Sequence, residues 1–172
     1  VVRELAGRPA LDVLREAIEG LDPRERALIG GGLLLGTVID GSGPDYGHGD
    51  FLVRGIVGVD PQAGTIAVGA DVRPGQVVRL HARDRDSADR DLRQGLALRN
   101  AALGGNAAGA LLFTCNGRGA SLFGEEGHDV HAVEDELGGA PVAGFFAAGE
   151  IGPVGGENFV HGFTATVAVF AA

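Results

Sequence analysis

The residues best suited to chemistry or recognition lie in the last third of the chain. The apolar run Leu111-Leu112-Phe113-Thr114 stops at Cys115-Asn116-Gly117-Arg118-Gly119, a thiol, an amide and a guanidinium set among glycines. Glu150 stands in Gly149-Glu150-Ile151-Gly152-Pro153-Val154-Gly155-Gly156, and His161 in Phe159-Val160-His161-Gly162-Phe163-Thr164. Glycine beside a functional side chain lets backbone approach a ligand closely. Arg118 could clamp a carboxylate bidentately, with neighbouring N–H groups as further donors. Glu150 would accept an ammonium, so that the two together complement a zwitterion. Cys115 could instead be a nucleophile, with His161 as base and Glu150 or Asn116 orienting it.

Each of these residues also has a purely structural use. Arg118 would bond loop carbonyls. Glu150 would form a salt bridge, for instance with Arg118 itself, or accept from loop N–H groups. Cys115 would be a small buried hydrophobe, and His161 would bond a sheet-end carbonyl. The reading carried forward is ligand binding by Cys115, Asn116, Gly117, Arg118, Gly119, Glu150 and His161, with no catalytic residue assigned. His48, His81, His128 and His131 do not form a metal-ligand cluster. His128 and His131 share a helix face at i,i+3, and a metal would need a further donor. Arg54, between Val53 and Gly55, would need a partner if it points inward.

These groups need a scaffold, and composition bounds it. A chain of 172 residues with 45% apolar and 22% charged residues folds as one domain, or one large domain with a subdivision. Aromatics are few, so Val, Leu, Ala and Ile must build the core. Gly occupies 31 positions, more than twice its usual share, without the fixed period of collagen. The net charge of -9 repels phosphate backbones and sets nucleic acid aside. No basic amphipathic stretch suits a membrane surface, and the longest apolar runs fall short of the ~20 residues that span a bilayer. One cysteine excludes an intrachain disulfide and a cysteine-rich zinc site. No cofactor is implied, and no signal peptide is visible. The chain opens at Val1 without Met, on residues that read as a strand, so a piece of a longer protein is expected.

Pro9 to Gly20 reads as a helix with Leu11, Leu14, Ile18 and Leu21 on one face. Asp22-Pro23-Arg24-Glu25 resembles a capping box opening a second helix. Leu33 to Ile39 is an apolar strand. Phe51 to Val59 and Thr65 to Ala70 form a hairpin, and Val77 to Arg83 alternates as a half-buried strand. Asp84 to Asp91 opens a helix that Gly104-Gly105-Asn106 ends. Ala110 to Thr114 reads as a central strand, and Asp129 to Leu137 as a helix. Pro141 to Ala147 and Phe159 to Phe170 read as two strands around a loop carrying Glu150. This order predicts an α+β fold, with a mostly antiparallel or mixed β-sheet and helices packed on it. Repeated βαβ units are not expected, and Gly117-Arg118-Gly119 lacks the rest of a dinucleotide or P-loop motif.

The chain resembles the C-terminal domain of FIST proteins, named for F-box and intracellular signal transduction. The likeness covers nearly the whole chain. It rests on Gly7-Arg8-Pro9-Ala10, the segment from Asp50 to Asp60, Pro74-Gly75-Gln76 and Arg83-Asp84 in the first half. In the second half it rests on Cys115-Asn116-Gly117-Arg118-Gly119, the segment from Gly144 to Pro153, and His161-Gly162-Phe163-Thr164. The resemblance implies a cytoplasmic sensory module in signal transduction, paired with an N-terminal FIST domain or a signalling protein. It implies a small-molecule ligand, with amino acids the favoured class, and it carries over no catalytic residue. A protein-interaction module, as in a substrate receptor, is the alternative it also admits.

Overall fold

The computed structural model describes all residues except 42–44, 48 and 155, so His48 and Gly155 of the sequence reading lie outside the described residues. The chain divides into two compact units, Val1–Arg83 and Asp84–Ala172.

The first unit opens with a short ribbon, β1 (Glu4–Leu5) against β2 (Arg8–Pro9). Then come α1 (Ala10–Glu19) and α2 (Pro23–Leu28). Four antiparallel strands follow, β3 (Leu34–Val38), β4 (Phe51–Asp60), β5 (Thr65–Val68) and β6 (Val78–His81), in the order β5-β4-β3-β6. Apolar spacing on α1 buries Ala10, Leu11 and Leu14 against Val2, Leu35 and Ile66. Each of the Val, Leu and Ile side chains contributes roughly 1.5–3 kcal/mol on leaving water. The capping box forms as expected. Asp22 Oδ1 accepts from the Glu25 N–H at 2.8 Å, and the Asp22 N–H donates to Glu25 Oε2 at 3.0 Å. Mid-strand Arg54 donates from Nη1 to the Val53 carbonyl at 2.8 Å.

The second unit carries the candidate residues. Its elements are α3 (Arg85–Leu103), β7 (Ala107–Cys115), α4 (Ala120–Phe123) and α5 (His128–Glu136), then β8 (Val142–Ala147), β9 (Glu150–Val154), β10 (Glu157–His161) and β11 (Ala165–Ala171). The apolar run at Ala110–Thr114 is central, as its sequence suggests: β7 lies between β11, antiparallel to it, and β8, parallel to it. A parallel pair needs a crossover, and α4 and α5 provide it, so the unit contains one βαβ turn. The fold is α+β, with mostly antiparallel sheets.

Strand period assigns the faces of β7. Ala110 and Leu112 pack with Leu96 of α3 and Val133 of α5, together with Leu137 and Ala140. Leu111 and Phe113 point the other way. On β8, Gly144 lies opposite Leu112, and a Cβ built there would sit 1.7 Å from the Leu112 carbonyl oxygen. Only glycine permits this approach.

The end of the chain departs from the sequence reading. Phe159 to Phe170 is not one strand but two, broken at Gly162-Phe163-Thr164, where Phe163 takes a left-handed φ of 64°. The Glu150 segment is not a loop. It is β9, paired with β10 in a hairpin that sets Glu150 opposite His161. His161 therefore ends β10 and does not begin the last strand.

Candidate functional site

Arg118 sits in the 3-10 turn Asn116–Arg118 that ends β7. It is 6% exposed, and a buried guanidinium requires a counter-charge. Asp129, in the first turn of α5 and 5% exposed, provides it. Arg118 Nε donates to Asp129 Oδ2 at 2.8 Å, and Nη2 donates to Oδ1 at 2.9 Å. Nη2 also reaches the Ala88 carbonyl at 3.4 Å. Nη1 makes no hydrogen bond with any described residue.

Asp129 gathers further contacts. Thr114 Oγ1 donates to Oδ2, and His128 Nδ1 stands 3.2 Å from Oδ1. The other ring nitrogen of His128 is 3.1 Å from Asp89 Oδ1. The imidazole stacks on Phe123, with centroids 3.6 Å apart and planes 5° from parallel, and the Arg118 guanidinium carbon lies 5.3 Å from the same ring centroid. Burial alone would raise the Asp129 carboxyl. Hydrogen bonds from Arg118 and Thr114 outweigh it and hold the group below the usual carboxylate value.

A cavity of about 460 Å³ opens beside this cluster, within the usual range for ligand pockets. Its floor includes Thr114, Arg118, Gly119 and the start of α5 from Gly127 to Val130. Its walls are apolar, from Leu112 and the β8 residues Val142 to Phe146. No side chain caps α5. Its first N–H groups have no acceptor within the helix, so the cavity receives the positive end of the helix dipole.

The seven sequence candidates separate into two places. Arg118 and Gly119 line the cavity. Asn116 and Gly117 belong to the turn that holds Arg118. Cys115, Glu150 and His161 gather near Thr164 instead: the Cys115 N–H donates to the Thr164 carbonyl at 2.9 Å, and Thr164 Oγ1 donates to Glu150 Oε2 at 2.9 Å. Glu150 is 2% exposed, and its Oε1 has no hydrogen-bond partner among the described residues. The His161 ring bonds the Gly152 carbonyl through Nε2 at 3.0 Å, not the buried Cys115 thiol. No group of three or more metal-binding side chains occurs among the described residues.

Asp129 was missed as a site residue. Its signal was the requirement itself: an arginine following a buried strand needs a nearby carboxylate, and Asp129 is the first acid of the next amphipathic helix.

The chain belongs to the FIST C domain family, whose model matches residues 10–153. FIST C domains are sensory domains of signal transduction. The uncharacterized proteins Mb0898c of Mycobacterium bovis and Rv0628c of Mycobacterium tuberculosis are each 51% identical over 170 residues, which is 99% of this chain and 44% of theirs. The chain thus spans less than half the length of these relatives. No solved structure matches it. Among the described residues, no helix is long and apolar enough to cross a membrane.

Proposed function

We propose that this chain is a cytoplasmic, non-enzymatic sensory domain that binds a small carboxylate-bearing metabolite beside Arg118. The observation behind this reading is a cavity whose floor holds a buried guanidinium with one nitrogen unspent. Amino acids are the class the family resemblance favours, and Arg118 with Gly119 would receive their carboxylate. The ammonium contact first assigned to Glu150 would have to form outside this cavity, because Glu150 is not among its lining residues. Binding would change the contact with an N-terminal FIST domain or a signalling partner.

Thermal unfolding of the chain against amino acids and related carboxylates tests this. A ligand at 100 times its Kd adds about 2.7 kcal/mol of stability. The shift should disappear in Arg118→Lys, which keeps a cation beside Asp129 but loses the Nη1 donor. A ligand whose shift survives that change would remove Arg118 from the site.

A second reading, as a protein-interaction module, is favoured by one observation. The sheet face opposite the helices leaves Leu111, Phe145 and Phe170 38%, 64% and 51% exposed. On this reading the portion of the mycobacterial relatives outside the matched region forms a complex with this chain. Phe145→Asp would abolish it, and Arg118→Lys would leave it intact.

A further inference from the structure

The hydrogen bonds around Asp129 narrow the ligand class at the same cavity, and the inference rests on the sensory reading above. A carboxylate offers about four acceptor sites, and three of those on Asp129 are filled by donors. Oδ2 holds Thr114 Oγ1 and Arg118 Nε, and Oδ1 holds Arg118 Nη2 and faces His128 Nδ1. Asp129 is therefore largely committed to the protein's own donors, with the His128 ring against its remaining site. Donors remain: Arg118 Nη1, which is unspent on a side chain more than nine-tenths buried, and the uncapped N–H groups at the start of α5. The walls above them are Leu112, Val130, Val142 and Phe146, with no charged side chain.

We infer that the cavity selects an apolar-bodied monocarboxylate without an ammonium group. The carboxylate would meet Arg118 Nη1 and the α5 N-terminus, where a negative group is favoured. The apolar body would lie along β8. An ammonium beside the carboxylate would be stripped of water against Leu112 and Val142, while the Asp129 carboxylate is already paired with Arg118 and Thr114, which is costly.

Matched sets test the inference: 3-phenylpropionate, phenylalanine, 3-phenylpropanamide and phenethylamine, with 4-methylpentanoate against leucine as a second body. Titration calorimetry on the full chain gives the affinities. The acids are expected to bind at least tenfold more tightly than the corresponding amino acids, the amide more weakly than the acid, and the amine not at all. Phe146→Ala, at a position 54% exposed, should weaken the acids severalfold. Amino acids binding as tightly as their deaminated acids would overturn the inference and leave the sensory cavity standing. No binding by any member would overturn both.

Discussion

Arg118 and Asp129 face each other eleven residues apart, joined by two parallel hydrogen bonds of 2.8 and 2.9 Å. One side chain leaves the end of the central strand and the other opens the helix that begins the return to the parallel neighbour. The pair therefore ties together the two ends of the α4 region and fixes the start of α5 against the sheet.

Removing one partner should be far worse than removing both. Asp129→Leu leaves a buried guanidinium without a counter-charge and is expected to cost about 3–5 kcal/mol in urea unfolding. The double variant Asp129→Leu with Arg118→Met should recover most of that loss. Additive losses in the double variant would mean that the two groups act independently.

The same pair sets a pH dependence. The Asp129 pKa is depressed in the folded state, so its contribution is complete above the unfolded carboxylate value of about 3.9. That contribution is lost as pH falls through the lower folded value. The stability gap between the native chain and Asp129→Asn should be constant from pH 7 to about 5 and shrink below about 4. A gap that persists unchanged at pH 2 would show that the carboxylate is not the source of the stabilisation.

Two glycine substitutions should have opposite signs. Gly144→Ala would drive a methyl group into the Leu112 carbonyl, which backbone cannot avoid without separating β7 from β8. A loss above about 4 kcal/mol, or failure to fold, is expected. Gly95 lies inside α3 with nothing within 4 Å of a built Cβ. Gly95→Ala should stabilise the chain by about 0.5–1 kcal/mol. Chemical denaturation of the two variants side by side checks both.

Glu150 buries a carboxylate with one oxygen unpartnered, which opposes folding. Glu150→Gln removes the charge and keeps an oxygen to accept from Thr164. It should raise the unfolding midpoint at pH 7 by an amount corresponding to about 1 kcal/mol or more. A marked fall would show that the charge itself has a stabilising partner.

Much of the scaffold was legible because local signals and burial agreed. The α1 stripe, the capping box at Asp22, the glycine stop of α3 and the central position of Ala110–Thr114 all follow from patterns within one element. The break at Phe163 was not legible, because an aromatic residue in a left-handed conformation has no propensity signal and alternation continues on both sides of it. The pairing of β9 with β10 depends on where a glycine-rich segment turns, and glycine permits both loop and strand. At the site, residue types pointed to Arg118, but they could not separate it from Glu150, since spacing along the chain does not say which cavity a side chain enters. Asp129 was visible only as a helix opener.

On strand β8 the side chains of Phe146 and Phe145 point to opposite faces of the sheet, Phe145 edge-on to Phe113 with centroids 5.1 Å apart. Among the described residues the strand has no neighbour beyond it in its sheet. It is thus a membrane one peptide thick between an inner chamber and an outer apolar face. A displacement of Phe146 must be taken up by the backbone that also aims Phe145, so the two faces of the strand lie a single residue apart.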